Sequence, residues 1–171
     1  LVKLFKSGKP FKMSKRAGDF ISVQELLEQV DKDSIRFMML NRSNDVELDF
    51  DFDKVLEKTR ENPIFYVQYC YARISSLFRI LKIDINSKFE IDENSFNLND
   101  HELNLLRKII DWPKVIETAS IKFEPHRIPF YLYDLATLFH SYWSKGNEEP
   151  KYKFIDNEKI KNKNTLLIIK L

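Results

Sequence analysis

The feature that most restricts the fold is a long segment with helical periodicity that begins at Asn62-Pro63. Asn is a favoured N-cap residue and Pro is favoured at the first helical position, so a helix is predicted from Ile64 to about Leu81. Its apolar residues recur three and four positions apart, as on one face of a helix. They are Val67, Cys70, Tyr71, Ile74, Leu77, Phe78 and Leu81. We expect this face to lie in a core.

Capping signals predict two shorter helices before this segment. Ser22 followed by Glu25 has the capping-box pattern, so a helix is predicted from about Val23. Asp33 is predicted to cap a second helix. The apolar and basic residues assigned to that second helix are Ile35, Arg36, Met38, Met39 and Arg42.

A short β element is predicted at the start of the chain. Val2 and Leu4 alternate with other residues, Ser7-Gly8 is a turn signal, and Phe11 and Met13 follow with the same alternation. The predicted fold class is therefore mainly α, a helical bundle preceded by a short β element.

Further helices are predicted beyond a polar linker at residues 84–100. One starts at Asp100, and the next runs from Pro113 through Lys122. A long helix is predicted from Phe130 to Lys145, with Gly146 as its C-cap.

The stretch 45–53, DVELDFDFD, carries five acidic residues and no basic one. A cluster of carboxylates could bind Mg²⁺. The alternation of acidic with apolar residues instead favours a structural interpretation, a turn followed by helix caps. On that interpretation Asp51 or Asp53 caps a third short helix.

Composition excludes several classes of protein. Hydrophobic residues make up 43% of 171, enough for a sizeable core. One cysteine, Cys70, excludes an internal disulfide, and three widely spaced histidines show no ligand spacing, so no metal site is expected. No apolar run approaches the ~20 residues of a membrane span, so we expect a cytoplasmic protein without a membrane partner. Leu1 is not a methionine, and we expect a piece of a longer chain.

Positive charge is concentrated near the N-terminus. Residues 1–20 carry six basic groups and one acidic group, although the net charge of the whole chain is only +2. Lysines spaced closely on a loop can neutralise a polyphosphate whose charge shifts during a reaction, and Gly18 would allow that loop to change shape. The alternative is an ordinary solvated basic loop.

The order of residues in this loop carries a resemblance to a known family. Lys12-Met13-Ser14-Lys15 is the KMSK signature of class I aminoacyl-tRNA synthetases. The segments 1–55, 62–74 (NPIFYVQYCYARI) and 124–146 (EPHRIPFYLYDLATLFHSYWSKG) resemble bacterial arginyl-tRNA synthetases. The resemblance implies that residues 1–50 are the C-terminal end of a catalytic domain. Residues 51–171 would be a helical anticodon-binding domain, incomplete at its C-terminus.

Enzymes of this family join arginine to tRNA(Arg) through an arginyl-adenylate, and they use ATP, accompanied by Mg²⁺, as a substrate. The resemblance implies that Lys12, Met13, Ser14 and Lys15 bind ATP. Lys15, and after it Lys12, would be catalytic and would stabilise charge on the leaving pyrophosphate. No His-x-Gly-His-like motif occurs in this chain. The N-terminal catalytic half is therefore an expected partner, the isolated chain is expected to be inactive, and the full enzyme is expected to be monomeric.

Two helix faces offer aromatic and basic groups of the kind that hold single-stranded RNA. One lies on the helix after Pro63 and the other on the helix from Phe130. With the resemblance, we predict contact with the anticodon stem-loop for Asn62, Tyr66, Tyr69, Arg73, Tyr133, His140 and Trp143. The alternative is that the tyrosines belong to a core or its rim and that Asn62 is a helix cap. Cys70 and Phe139 are assigned to the core, and His101 and His126 receive no functional role.

Two other functions remain open from the residues. One is a different class I synthetase with a helical anticodon domain, such as the cysteine or methionine enzyme. Those enzymes often carry cysteine-rich zinc sites, which a chain with one cysteine cannot form. The other is a helical module that binds RNA or protein without catalysis, in which KMSK is a coincidence.

Overall fold

The computed structural model of the chain describes residues 2–11, 22–87, 97–157, 159–160 and 163–170. Most of these residues are helical, and the predicted fold class is confirmed. The elements in chain order are β1 (Val2–Lys6), β2 (Lys9–Phe11), α1 (Val23–Gln29), α2 (Lys32–Leu40), β3 (Leu48–Asp51), α3 (Phe52–Leu56), α4 (Pro63–Ile80), α5 (Asp100–Ile110), α6 (Trp112–Ile121), α7 (Arg127–Glu148), a 3₁₀ turn (Pro150–Tyr152), β4 (Ile155–Asp156), β5 (Lys159–Ile160) and α8 (Lys163–Lys170).

The chain divides into two compact units. The first comprises Leu1–Tyr66 and Val115–Phe130, and the second comprises Val67–Lys114 and Tyr131–Leu171. The division after residue 50 that the resemblance implies stays a prediction.

The first unit contains a three-stranded sheet in the order β2-β1-β3. β1 and β2 form the predicted hairpin, and both turn residues, Ser7 and Gly8, have positive φ angles of 53° and 70°. Such angles suit the two-residue turns that match the twist of a hairpin. β3 pairs parallel to β1, with Val2 opposite Leu48. This third strand was not predicted, because its alternating carboxylates were interpreted as a turn and helix caps.

The core of the first unit forms where β3 meets the short helices. Val30, Leu48, Phe50, Phe52 and Val55 are buried, and Leu4, Leu26, Ile35 and Met38 pack against them. Each fully buried side chain of this size contributes about 1.5–3 kcal/mol relative to an exposed one. The alternating residues of β3 therefore hold this core together.

Three of the predicted caps can be compared with the helix starts in the first unit. The capping box of Ser22 and Glu25 is present, and Asp51 caps α3. The predicted cap of α2 was wrong. Asp31, not Asp33, occupies that position, because its carboxylate accepts the backbone N–H groups of Asp33 and Ser34, both at 3.0 Å. Arg42, assigned to α2 from the sequence, lies beyond the end of that helix.

A hydrogen-bonded network lies inside the second unit. Glu102 is fully buried, and its Oε1 accepts hydrogen bonds from Thr165 Oγ1 and from Tyr142 Oη, the latter at 3.2 Å. Its Oε2 accepts the backbone N–H of Asn99 at 2.9 Å, which completes a capping box at the start of α5. Because a buried carboxylate is costly unless it is hydrogen-bonded, this network fixes how α5, α7 and α8 pack together.

Two assignments in the second unit were wrong. Tyr71, placed on the core face of α4, is 71% exposed. Gly146 does not end a helix, because α7 runs from Arg127 to Glu148. A Cβ at Gly146 would lie 3.0 Å from the carbonyl oxygen of Tyr152 and 3.2 Å from Cα of Lys153. The position favours glycine because another part of the backbone passes directly against the helix.

Within the residues that the structure describes, no helix combines the length and the apolar character needed to cross a membrane.

Candidate nucleic-acid interface

A cluster of aromatic and basic side chains is centred on Arg73 in the second unit. Arg73 follows Tyr69 by one turn of α4, so the two side chains lie on the same face. The guanidinium carbon of Arg73 lies 4.3 Å from the centre of the Tyr69 ring, and Nη2 donates a hydrogen bond to Tyr69 Oη at 2.8 Å. The guanidinium group is thereby held against an aromatic ring.

Helix α7 supplies the other two members of the cluster. The guanidinium carbon of Arg73 lies 5.0 Å from the centre of the Trp143 ring, and Nη1 lies 3.1 Å from His140 Nδ1. Since a guanidinium can only donate, Nδ1 must be the acceptor, and this assigns the proton of the neutral imidazole to Nε2. We call Tyr69, Arg73, His140 and Trp143 the Arg73 cluster.

The members of the Arg73 cluster differ in their exposure. Tyr69 is 42% exposed, and Arg73 and Trp143 are half-buried. His140 is only 5% exposed, and its ring is stacked on Tyr69 with centroids 5.4 Å apart. His140 therefore supports the guanidinium group from inside, and the surface of the cluster is formed by the other three side chains.

This surface combines aromatic rings with a permanent positive charge. Among the described residues, Arg73 has no carboxylate within salt-bridge distance, so its charge is not cancelled by a close ion pair. Exposed aromatic rings can stack nucleobases, and guanidinium groups bind phosphate oxygens. The arrangement is therefore suited to an unpaired segment of nucleic acid.

Cys70 follows Tyr69 directly in the sequence, but its side chain belongs to the core. Burial raises its pKa to about 12, although the positive charge of Arg73 acts in the opposite direction. A thiol with such a high pKa is protonated at neutral pH and is a poor nucleophile. Phe139 is also buried, so both core assignments made from the sequence are confirmed.

The three remaining residues predicted to contact RNA lie outside the Arg73 cluster. Tyr133 is half-buried on α7, two turns before His140. Asn62 and Tyr66 belong to the first unit. Asn62 is buried, and its Nδ2 donates to the carbonyl oxygens of Val55 and Glu57 at 2.9 and 2.8 Å, so its amide holds the preceding turn. The guanidinium carbon of Arg60 lies 6.0 Å from the ring centre of Tyr66. RNA contact stays a prediction for all seven residues.

The predicted catalytic residues Lys12, Met13, Ser14 and Lys15 lie outside the described residues. They follow β2 directly in the sequence. The turn of the β1–β2 hairpin is bound by Asp53, whose Oδ2 accepts the backbone N–H of Ser7 at 2.5 Å.

A small pocket beside Trp143 includes residues for which no function was predicted from the sequence. The pocket has a volume of about 150 Å³, and Gly146, Asn147, Tyr152 and Lys153 contribute to its walls. The sequence signal that could have identified it is the alternation of basic and aromatic residues in Lys151-Tyr152-Lys153-Phe154.

Comparisons with known proteins agree with this architecture. The arginine–tRNA ligase of Pelagibacter ubique is 54% identical over 171 residues, which cover 100% of this chain and 30% of that protein. The arginine–tRNA ligase of Roseobacter denitrificans is 47% identical over 163 residues, 92% of this chain and 28% of that protein. The chain thus spans less than a third of the length of these relatives.

Solved structures give the same result for the fold. A structure described as that of an arginyl-tRNA synthetase from Campylobacter jejuni matches with a TM-score of 0.79 and 28% identity, over 99% of this chain and 35% of that one. The arginyl-tRNA synthetase of Thermus thermophilus matches with a TM-score of 0.66 over 97% of this chain and 30% of that one, and at 20% identity it supports the fold alone. The family model of the DALR anticodon binding domain matches residues 67–171. The chain therefore belongs to the DALR anticodon-binding domain family, and in this domain it resembles the arginyl-tRNA synthetases.

Proposed function

We propose that this chain is the C-terminal part of an arginine–tRNA ligase and that its second unit binds the anticodon stem-loop of tRNA(Arg). The observation that carries the proposal is the Arg73 cluster, which presents stacking surfaces and a cation inside the segment that matches the anticodon-binding family. Tyr69 and Trp143 would stack bases, and Arg73 would hold a phosphate. Tyr66, Tyr133 and Asn62 are secondary candidates for contact.

The catalytic part of the proposal concerns the segment after β2. In the complete enzyme, arginine attacks the α-phosphate of ATP, arginyl-adenylate and pyrophosphate form, and arginine is then transferred to the tRNA. Lys15 would stabilise the negative charge that grows on the departing pyrophosphate, and Lys12 would support the same phosphates. Met13 and Ser14 complete the ATP-binding motif. Mg²⁺ would accompany ATP as part of the substrate.

The remaining elements of the proposal rest on the resemblance. The activity requires an N-terminal catalytic half, which contains the nucleotide-binding motif that this sequence lacks. We propose that the complete enzyme acts as a monomer in the cytoplasm.

The RNA-binding part can be tested on the 171-residue chain by fluorescence anisotropy with labelled transcripts of tRNA(Arg). We expect Arg73→Ala to weaken binding and to reduce the slope of log K against log salt by roughly 0.7–0.9 for each phosphate that is no longer neutralised. Arg79→Ala is the matched control, because Arg79 is an exposed arginine near the end of the same helix. Unchanged affinity and salt dependence in Arg73→Ala, with normal thermal unfolding, would refute RNA binding through the Arg73 cluster.

The amino-acid specificity needs the complete enzyme. Joined to the N-terminal part of a relative such as the Pelagibacter ubique enzyme, the chain should support charging of tRNA(Arg) with arginine. A joined protein that folds and binds tRNA but charges it only with another amino acid would contradict this assignment.

A further inference from the structure

The tip of the β1–β2 hairpin is bound to α3 by the carboxylate of Asp53. Lys6 pairs with Lys9 across the turn, so the backbone N–H of Ser7 lies outside the ladder of the hairpin. Asp53 Oδ2 accepts this N–H at 2.5 Å, from a position 46 residues further along the chain. The hydrogen bond therefore joins the hairpin to an element that is distant in sequence.

The register of the sheet explains why Asp53 reaches the turn. β1 and β3 are parallel, and Phe5 lies opposite Asp51 at the end of their pairing. Ser7 and Asp53 each follow two residues later, so the same register brings both to one end of the sheet. Asp51 also caps α3, because its Oδ1 accepts the backbone N–H of Asp53 at 3.1 Å. The cap fixes the backbone from which the Asp53 carboxylate extends.

Strand β2 is held to the sheet by a short ladder. Within the described part of the chain, β2 is an edge strand of three residues that pairs with β1 alone. Residue pairs in an antiparallel ladder exchange hydrogen bonds alternately, so a strand of this length makes few of them. Pro10 has no N–H to donate on the outer side of the strand. The hydrogen bond at the turn is therefore an important restraint on where β2 lies.

β2 leads directly into the KMSK motif, since it ends at Phe11 and the next residue is Lys12. We propose that Asp53 is a positioning residue for the Lys12–Lys15 segment. It fixes the tip of the hairpin, and through β2 it fixes the point at which that segment starts. This inference rests on the proposed function, since it requires these lysines to act in adenylate formation. Catalytic groups have to be held within about 0.5 Å of their productive positions, so a small displacement of the hairpin is enough to slow the reaction.

The exposure of Asp53 allows positioning to be separated from stability. Asp53 is exposed, and the buried core of the first unit is formed by other side chains. The backbone ladder between β1 and β3 does not depend on its carboxylate. Asp53→Ala should therefore fold, and thermal unfolding checks this. Its main effect should be on the position of the turn.

The test uses the chain joined to the N-terminal part of the Pelagibacter ubique enzyme and measures pyrophosphate exchange that depends on ATP, arginine and tRNA(Arg). Asp53→Ala should lower kcat about 10- to 100-fold, since a misplacement of about 1 Å can cost about 100-fold. The KM for ATP should change by less than about twofold, because the displaced charge acts on the transition state more than on bound ATP.

Two variants separate the hydrogen bond from the charge of Asp53. Asp53→Asn loses the charge but keeps an oxygen that accepts the Ser7 N–H, so its kcat should stay within about threefold of the wild type. Asp49→Ala is the matched control, because Asp49 is an exposed carboxylate on β3 that lies opposite Lys3 and not at the turn. This control should leave kcat unchanged.

Coupling to Lys15 separates positioning from a general disturbance of the enzyme. In a Lys15→Ala background, Asp53→Ala should lower kcat by a much smaller factor, because the main group that it positions is absent. Replacing Ser7 by the corresponding α-hydroxy acid turns its backbone N–H into an ester oxygen. This change removes the same hydrogen bond from the other side and should reproduce the loss of kcat, and it decides the question should Asp53→Ala fail to fold.

The possible failures are distinguishable. The inference is overturned by wild-type kcat in Asp53→Ala and in the Ser7 ester, by an equal loss in Asp53→Asn or Asp49→Ala, or by an unchanged factor in the Lys15→Ala background. In each of these cases a loss of kcat in Lys15→Ala alone leaves the proposed function standing. A joined wild type that folds and shows no exchange with arginine overturns the proposed function and this inference together.

Discussion

His140 could contribute to RNA binding in two ways, by contacting RNA itself or by positioning the side chain of Arg73. The sequence predicts direct contact, whereas the structure buries the ring and directs its Nδ1 at Arg73. Replacing His140 by Phe keeps a ring that can stack on Tyr69 and removes the acceptor. A hydrogen bond to a charged group contributes about 1.5–3 kcal/mol. Because Arg73 is half-exposed and can bind water instead, we expect a loss of about 1.5 kcal/mol in the free energy of unfolding, at the lower end of that range.

The effect on RNA affinity follows from the freedom that Arg73 gains. Ordering a long side chain on binding costs about 0.5–1.5 kcal/mol, and His140→Phe would add this cost to RNA binding. The dissociation constant for tRNA(Arg) should therefore rise about two- to twelvefold. His140→Gln, which retains an acceptor oxygen, should recover part of the loss. Anisotropy titrations on the 171-residue chain, below the melting temperature of each variant, measure these changes.

A double-mutant cycle decides between the two roles of His140. If His140 acts through Arg73, His140→Phe should have almost no effect on affinity in an Arg73→Ala background. If the two substitutions weaken binding additively, His140 contacts RNA by itself and the positioning argument is refuted. Wild-type affinity in His140→Phe would refute both roles.

Three further predictions concern the core and the KMSK segment. Tyr142→Phe removes a hydroxyl that is hydrogen-bonded to Glu102, Thr165 and Asn99, and it should lower the free energy of unfolding, measured by urea denaturation, by about 1–3 kcal/mol. Tyr71→Phe, at an exposed position, is the control, and an equal loss in both variants would contradict the importance of the network. Cys70, with its pKa raised to about 12, should resist iodoacetamide at pH 8 in the folded chain and react in urea. Since the unfolded thiol ionises first, its contribution to stability should fall as the pH rises above about 8.5; rapid labelling without urea would show that the site is open. In the complete enzyme, Lys15→Ala should lower kcat for adenylate formation about 10²–10³-fold, by analogy with the removal of an oxyanion donor, with a smaller change in KM for ATP; a change confined to KM would contradict a role in the transition state.

The helices of this chain could be predicted because their signals are local. Ser22 and Glu25 are three residues apart, and both ends of their capping box are encoded within one turn. Tyr69 and Arg73 could likewise be placed together from their spacing on one helix. The joining of these two residues to His140 and Trp143 depends on how α4 packs on α7, which no local pattern encodes.

The features of the fold that were not predicted correctly depend on contacts between distant segments. β3 was missed because its partner, β1, lies far away in the sequence. Gly146 was interpreted as a helix end because a glycine is ambiguous until the backbone that passes it is known. His140 was placed on a surface face because helical spacing gives direction around the axis but not depth. The KMSK motif was recognised as a sequence pattern, without any geometry.

The parallel pairing of β1 with β3 has a consequence for the order of folding. The β1–β2 hairpin needs only neighbouring residues and can form within about 1–10 μs. The hydrogen bond from Ser7 to Asp53 and the β1–β3 ladder instead close a loop of 46 residues, at an entropic cost of about 3 kcal/mol. Once formed, the hairpin therefore waits for β3 before the three-stranded sheet is complete, and β3 is stabilised by a core to which α1 and α2 contribute. During synthesis, the hairpin that leads into the KMSK segment cannot pair with β3 until the ribosome has released a stretch of chain well beyond the motif itself.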